Sequence, residues 1–475
     1  MTQIAEKPSV FGTALDKRPR GGPRWLDDLR SRGAARFMAL GIPTVRDEEW
    51  RFTNVAPLGA IDFAPAEQIS GAVERLNGFA YTDAPVRLVI VNGRFDTTLS
   101  RVKALPSGVQ ARSLAAALGD YPDVVQRYFG QLADFTSRGF TALNTAFVQD
   151  GAFIHIPDGT ILETPIHVIF VSGADGSKFM SHPRTLIVAG AGAQASVIES
   201  YIGAQGDTYF TNVVSEIFVG ENAGVDHYKV QAESLDSFHI ASLHAHTSRS
   251  SRFSSHSFAL GGKLARSDVF AILDGEGGDC TLNGLYLADR DRLVDNHTSI
   301  DHAKPHCGSH EVYKGILGGT ARAVFNGKII VRQDAQKTDA KQTNRALLLT
   351  DGATINTKPQ LEIFADDVKC THGAAIGQLD DDAIFYLRTR GLTYAEARDM
   401  LIHAFAGQIL EGVRVEPLRE ALERELFDQL AADLADADAK SATKRSGQRS
   451  ASVVEEPKGG AGGDRRGSGG ADRQQ

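Results

Sequence analysis

The chain has 475 residues, of which 42% are hydrophobic and 23% charged, enough for two or three domains or for one long repeat domain with appendages. The formal net charge of −8 argues against nucleic acid as the main partner, because proteins that bind it carry a basic surface. Only three cysteines occur, so no paired disulfide framework is expected and a reducing compartment is favoured. No apolar signal core begins the chain, and no apolar run approaches the roughly 18 residues of a membrane span. We therefore expect a cytoplasmic protein that does not contact the membrane.

The first 150 residues are predicted to form a mostly helical N-terminal region. Residues 24–40 place apolar side chains on one face of a helix, and residues 112–148 return to a helical pattern. Between them, the apolar and β-branched run 87–92 is typical of a buried strand. Trp50 is interpreted as an anchor to the core rather than as a binding residue.

Residues 151–378 change in character and are predicted to form the β core. Short β-rich runs follow one another almost without helical patterns, which excludes a layout of alternating strands and helices. Small, polar or glycine-bearing corners separate the runs at spacings of roughly 15 residues or multiples of 15. This rhythm favours a solenoid in which each coil stacks on the last, as in a parallel β-helix. A large antiparallel sandwich is the alternative.

Helical patterns return in residues 379–435, which we predict to be a C-terminal helical domain. Thr393 and Glu396 have the spacing of a capping box at a helix start. A stripe of leucines then recurs every four residues, and either packing against the preceding helix or partner binding explains it. The stripe comprises Leu418, Leu422, Leu426, Leu430 and Leu434. Residues 436–475 contain almost no large apolar side chain and are predicted to be disordered.

Cys370 and His372 are the best candidate metal ligands. In an extended segment alternate side chains share a face, so the thiol and the imidazole would point the same way. This pair suits a soft or borderline metal such as iron or zinc, but two ligands do not complete a tetrahedral site. The alternative is a buried structural cysteine beside an ordinary histidine, because Cys-x-His alone is not specific.

A second cluster of ligand-type residues has a spacing that matches no standard zinc motif, so structural or hydrogen-bonding roles are favoured over a metalloenzyme site. It comprises His297, His302, His306, Cys307 and His310. No Walker-type phosphate-binding loop and no Gly-x-Ser-x-Gly nucleophile motif occurs. The chain is therefore not expected to hydrolyse ATP itself.

Several short motifs, spread over most of the chain, carry a resemblance to a known family. They are Glu49-Trp50-Arg51-Phe52-Thr53, Val91-Asn92-Gly93-Arg94-Phe95, Ala142-Leu143-Asn144-Thr145-Ala146-Phe147, Tyr313-Lys314-Gly315-Ile316-Leu317, Phe325-Asn326-Gly327-Lys328-Ile329, Ala335-Gln336-Lys337-Thr338-Asp339-Ala340 and the stretch 356–391. Together they resemble the SufB/SufD family, and SufD more than SufB. An essential cysteine of SufB corresponds to Asn344 here, which favours the SufD side. The tail after about residue 436 lies outside the resemblance.

The resemblance implies a fold and a set of partners. It implies a right-handed parallel β-helix between helical N-terminal and C-terminal regions, and no catalytic turnover by this chain. SufD pairs with SufB, and each binds one SufC ATPase through its C-terminal helices. ATP, which enters only through SufC, then drives SufC dimerisation and strains the SufB–SufD interface where an iron–sulfur cluster is built. For the chain in isolation a homodimer is left open as an alternative, although Asn344 argues against a SufB-like scaffold that acts as a homodimer.

The resemblance also implies site residues. His372, with Cys370 beside it, would be an interfacial ligand of a transient cluster that is shared with SufB. The surface of residues 393–430 is predicted to contact SufC, with the candidates Thr393, Glu396, Leu401, Phe405, Leu422 and Leu426. One rival interpretation is a purely structural SufB partner with an inert interface.

Overall fold

The computed structural model describes residues 10–66, 84–103, 105–173 and 176–430. The predicted disordered tail, 436–475, lies outside these residues, as does the start of the chain. The chain divides into a compact unit that ends at Leu426 and a second unit that starts at Phe427. The helices are α1 (Val10–Leu15), α2 (Arg24–Leu40), α3 (Ala56–Gly59), α4 (Leu114–Asp120), α5 (Pro122–Tyr128), α6 (Gly139–Phe147), α7 (Asp381–Thr389), α8 (Tyr394–Leu410) and α9 (416–430).

Strands dominate the chain between α6 and α7, and a few shorter ones precede α6. They are β1 (Ala64–Pro65), β2 (Val86–Val91), β3 (Arg94–Phe95), β4 (Arg101–Val102), β5 (Gln110–Ser113), β6 (Gly151–Ile156), β7 (Ile166–Ser172), β8 (Phe179–Ser181), β9 (Arg184–Ala189), β10 (Gln194–Gly203), β11 (Tyr209–Val219), β12 (Gly224–Ala232), β13 (Phe238–Thr247), β14 (Arg252–Ala259), β15 (Leu264–Leu273), β16 (Asp279–Ala288), β17 (Leu293–His302), β18 (Gly308–Leu317), β19 (Arg322–Val331), β20 (Asp339–Leu348), β21 (Thr354–Ile363) and β22 (Lys369–Gly377).

Consecutive long strands alternate between two sheets. Sheet 1 has the order β21-β19-β17-β15-β13-β11-β9-β6-β5, and sheet 2 has the order β22-β20-β18-β16-β14-β12-β10-β7-β2-β3. Each strand from β9 to β20 pairs in parallel with the strand two positions later. This is the connectivity of a parallel β-helix of about eight coils, with helices at both ends of the chain. The predicted fold class is confirmed, and the antiparallel sandwich is wrong.

The coil length explains the rhythm of the corners. Gly308 pairs with Asp339, and Asp339 pairs with Lys369, so successive coils take 339 − 308 = 31 and 369 − 339 = 30 residues. Each coil contains one strand of each sheet and two corners, which gives a corner about every 15 residues. Alternate side chains point into the space between the sheets, where Val, Ile, Leu and Ala form the main core.

Helices cover parts of both outer faces. The N-terminal helices pack on outward-facing side chains of sheet 1 such as Phe210 and Phe238. On sheet 2, Lys314 Nζ donates to the carbonyl oxygen of Phe405 at 2.7 Å, and Arg414 lies 3.2 Å from the Asp226 carboxylate. None of the described helices has the combined length and apolar character needed to cross a bilayer.

The last coil is different, because nothing among the described residues stacks on it. Both β21 and β22 are edge strands, and each pairs on one side only. The side chains of β22 are almost all exposed, and Ile376, which the alternation places on the inward face, is 49% exposed. The β-helix therefore ends in an open coil.

Candidate metal-ligand site at the open end of the β-helix

Cys370 and His372 both lie on β22, on the face that points between the sheets. Cys370 packs against Ile329, Val331 and Ala340 inside the last coils. His372 follows two residues later on the same face and is exposed. Burial raises the pKa of the Cys370 thiol, so the sulfur is protonated at neutral pH and must lose a proton before it binds a metal. The extended segment and the shared face agree with the sequence-based expectation.

A column of buried polar side chains lies beneath His372 inside the β-helix. His372 is in register with Gln342 of β20, which is in register with Glu311 of β18. Gln342 Nε2 donates to Glu311 Oε2 at 2.7 Å, and both residues are 1% exposed. Gly327 of sheet 1 leaves room for this amide, because a Cβ there would stand 2.1 Å from Gln342 Nε2.

Glu311 is an unusual residue for the core of a solenoid. Burial raises the pKa of its carboxyl to about 7, and hydrogen bonds with Thr298 and Gln342 offset only part of that rise. Within the described part of the chain, Gln342 Oε1 has no hydrogen-bond partner. The interior next to the candidate ligands is thus polar and incompletely satisfied.

Asn344 lies at the position that the resemblance matches to the essential cysteine of SufB. It points inward from β20 and is in register with Ala374 of β22. Its Nδ2 donates to Thr357 Oγ1 at 3.0 Å, which joins the two sheets in the final coil. This inward position is therefore filled by an amide, and among the described residues Cys370 is the cysteine at this end of the β-helix.

The second histidine and cysteine cluster does not converge on one point. His297 lies on the outer face of sheet 1, between Asp295 Oδ1 at 3.0 Å and Glu49 Oε2 at 3.2 Å. His302 points inward, where its Nε2 lies 2.9 Å from Ser309 Oγ, whereas His306 and His310 are exposed. No group of three or more potential metal ligands occurs among the described residues. The geometry agrees with the structural interpretation of this cluster.

The helical residues that were predicted to contact SufC divide into different environments. Thr393 and Glu396 form the capping box of α8, in which Thr393 N donates to Glu396 Oε2 at 2.7 Å. Leu401 and Phe405 are half-buried. Leu422 and Leu426 are each 1% exposed, so the prediction that these two side chains form a partner surface is corrected: they serve packing. The large exposed side chains of α7 and α8 are Phe385, Tyr386, Tyr394 and Met400.

Glu311 and Gln342 were missed from the sequence. A polar residue in a strand is ordinarily expected on the solvent side, and both residues point inward. The coil length was the usable signal, since Gln342 and Glu311 precede His372 by one and about two coils of roughly 30 residues. Glu49 was missed as a partner of His297 because 248 residues separate the two in the chain.

The fold and the end site define a class of protein: a parallel β-helix with terminal helices and one thiol–imidazole pair in its open last coil. Comparison with known proteins narrows the class. The model of the SufBD core domain of the SUF iron–sulfur cluster assembly system matches residues 170–405, and the model of the SufBD N-terminal region matches residues 14–168. The chain belongs to the SufB/SufD family of iron–sulfur cluster assembly proteins.

Individual relatives support the same assignment. The chain is 40% identical over 404 residues to an iron–sulfur cluster assembly SufBD family protein of Synechocystis, an alignment that covers 83% of this chain and 89% of the relative. It is 33% identical over 392 residues to the iron–sulfur cluster assembly protein SufD of Escherichia coli, with 81% and 88% covered. The SufD of Bacillus subtilis is 26% identical over 416 residues, with 84% and 93% covered.

Proposed function

We propose that this chain is the SufD-like, non-catalytic subunit of a scaffold complex with SufB-like and SufC-like partners. A nascent iron–sulfur cluster, the cargo of the complex, is assembled where the open coil meets the SufB-like partner. The main support for this proposal is that the inward face of the open last coil bears one thiol and one imidazole, those of Cys370 and His372.

The two free edges favour a partner that is itself a β-helix. An edge strand presents unpaired N–H and C=O groups, and repeat proteins ordinarily cap their last repeat. Here β21 and β22 offer free edges at the same end of the fold, one from each sheet. A partner that pairs with both edges at once needs two strands at the same separation, which another β-helix end supplies. A SufB-like chain meets this condition, and in its absence so does a second copy of this chain.

The ligand chemistry is consistent with a shared cluster. Iron accepts thiolate and imidazole ligands, but one of each leaves its coordination incomplete. The remaining ligands are assigned to the partner, because Asn344 is hydrogen-bonded to Thr357 and offers no sulfur. Coordination requires the thiolate of Cys370 and the neutral imidazole of His372, so assembly is expected to weaken at acidic pH.

The C-terminal helices are assigned to the SufC-like ATPase, which supplies ATP hydrolysis. Aromatic and methionine side chains are enriched at protein interfaces, and four of them are exposed on α7 and α8. Tyr386 is 56% exposed and Phe385 69% exposed. This surface replaces the buried leucines in the proposal, and the capping box of Thr393 and Glu396 serves to fix the start of α8.

The test compares His372→Ala with His310→Ala in the complex reconstituted with SufB-like and SufC-like subunits, ferrous iron, a sulfide source and ATP. His310 is a matched control because it is exposed on the outer face of β18. We expect His372→Ala to lower the cluster yield, measured by visible absorption and by iron content, while His310→Ala retains it. An unchanged yield with His372→Ala removes His372 from the mechanism.

A second variant separates a ligand from a structural interface. Cys370→Ser preserves the size of the side chain and removes the soft sulfur. If Cys370 is a ligand, this variant forms the complex but accumulates less cluster. If complex formation and cluster yield both survive the change of Cys370 and His372 together, the interface is inert and the chain is a structural partner only.

A further inference from the structure

The motif Glu49-Trp50-Arg51-Phe52-Thr53 lies on the outer face of sheet 1 and is held there by a dense set of contacts. Arg266 Nη1 donates to the carbonyl oxygen of Glu49 at 2.6 Å, and the guanidinium of Arg266 stacks 3.8 Å above the ring of Trp50. Thr53 Oγ1 donates to Asp295 Oδ2 at 2.5 Å. These contacts anchor segment 44–53 to sheet 1.

The same segment extends to the edge of the sheet. Lys358, an outward-facing residue of the edge strand β21, donates from its Nζ to Glu48 Oε1 at 2.7 Å. From Arg266 on β15 through His297 on β17 and Asn326 on β19 to Lys358 on β21, the segment contacts four successive strands of sheet 1. It ends beside the last coil.

A cleft of about 490 Å³ separates the segment from the edge strand. Val45, Arg46, Arg51 and Phe52 line one side, and Asn356, Thr357 and Lys358 line the other. Val45 is 49% exposed and Phe52 is 44% exposed, so apolar surface is left open at this point. Any strand that pairs with β21 would bring its own outward-facing side chains into line with Asn356 and Lys358, at the mouth of the cleft.

The charge of the cleft is not balanced. Lys358 is paired with Glu48, and His297 lies against Glu49. The guanidinium of Arg51 lies over the ring of Phe52 at 5.7 Å. Within the described ranges, neither Arg46 nor Arg51 forms a salt bridge with a carboxylate, so two cations remain for an acidic ligand.

We propose that segment 44–53 is part of the partner interface and forms a second contact surface beside the edge strand β21. Its cleft receives a carboxylate side chain that faces outward from the edge strand of the SufB-like partner, with Arg46 and Arg51 as the cations and Val45 and Phe52 as the apolar wall. This inference rests on the proposed function, since it takes the open coil as the interface. It adds a second contact beside the strand pairing, which fixes the register of that pairing.

The experiment measures the dissociation constant of the full chain for the SufB-like subunit at two salt concentrations. Arg51→Glu is compared with Arg127→Glu, a matched charge reversal of an exposed arginine on α5 whose guanidinium likewise lies over the ring of the next residue, Tyr128, at 5.3 Å. We expect Arg51→Glu to raise the dissociation constant about tenfold or more and to reduce its salt dependence, while Arg127→Glu leaves both unchanged. Phe52→Ala is expected to weaken binding without changing the salt dependence.

A third variant separates this inference from the proposed function. Lys369 N bonds to Thr338 O of the neighbouring coil, so alternate residues of β22, including Ala374, direct their N–H to the free edge. Ala374→Pro removes an outward donor without breaking a bond of the ladder. If Ala374→Pro abolishes binding and Arg51→Glu does not weaken it, segment 44–53 is not part of the interface, while the end-to-end interface is retained. Full binding with Ala374→Pro overturns the end-to-end interface itself.

Discussion

Replacement of Glu311 by glutamine should change how the stability of the β-helix depends on pH. Burial raises the pKa of Glu311 to about 7 from its ordinary 4.5, so the folded protein retains this proton between the two values while the unfolded chain releases it. The contribution of Glu311 to stability is therefore greatest below pH 4.5 and falls as the pH rises to 7. A pKa difference of about 2.5 corresponds to about 3 kcal/mol, at 1.36 kcal/mol for each pH unit. The substituted amide keeps an oxygen acceptor for Gln342 and does not titrate.

The assay is thermal unfolding of the wild-type chain and of Glu311→Gln at intervals between pH 4.5 and 8, with the same scan rate throughout. For a unit of roughly 400 residues, 3 kcal/mol corresponds to about 4 °C in Tm. The Tm of Glu311→Gln relative to wild type should therefore rise by about 4 °C across this range. Glu163→Gln, at an exposed corner, is the control and should show no such trend.

A constant difference in Tm between Glu311→Gln and wild type from pH 4.5 to 8 would refute the reasoning. It would mean that the carboxyl ionises normally in the folded protein, and that the interior beneath His372 is hydrated or holds a counter-charge.

Two further changes probe the same coils. Gly327→Ala should lower the free energy of unfolding by about 1–3 kcal/mol, because the added Cβ would displace the amide of Gln342. Unfolding in denaturant measures this loss. Gly373→Ala is the control, because no atom lies within 4 Å of the added Cβ. Glu49→Gln should lower Tm most between about pH 4.5 and 6.5. Although burial alone would lower the pKa of His297, Asp295 and Glu49 raise it to about 9, so its contribution is complete below pH 6.5 and is lost as the pH rises through 9. The hydrogen bond to His297 lowers the pKa of Glu49 to about 2, so the contribution of Glu49 is complete above pH 4.5 and is lost as the pH falls toward 2. A Tm difference between Glu49→Gln and wild type that persists at pH 10 would contradict this assignment.

The fold was accessible from the sequence because the corners of a β-helix are local features. Glycine and aspartate at regular spacings mark where each strand ends, and a coil of two strands and two corners repeats that spacing throughout. The same argument placed Cys370 and His372 on one face of one strand. Both conclusions need only the strand period and the positions of turns.

Register was not accessible, because it joins residues about 30 positions apart. Glu311 and Gln342 carry no local mark of burial, and only the pairing of β18, β20 and β22 places them under His372. The leucine stripe was ambiguous for a related reason. Its spacing predicts that one helical face is covered, but not by what, and Leu422 and Leu426 are covered within the described chain.

Within the described residues no further coil follows β22. This accounts for two properties of the end site, the exposed side chain of His372 and the free edge of the strand. In earlier coils the edge of each strand is paired, and buried polar side chains such as His302 and Ser309 meet a partner. At β22 the same interior column ends in an exposed His372, and the strand edge is free. The proposed ligands and the free strand edge lie at the same uncovered end of the β-helix, so we expect one partner surface to cover both. Ala374→Pro should therefore reduce partner binding and cluster yield together, whereas Cys370→Ser should reduce the yield alone.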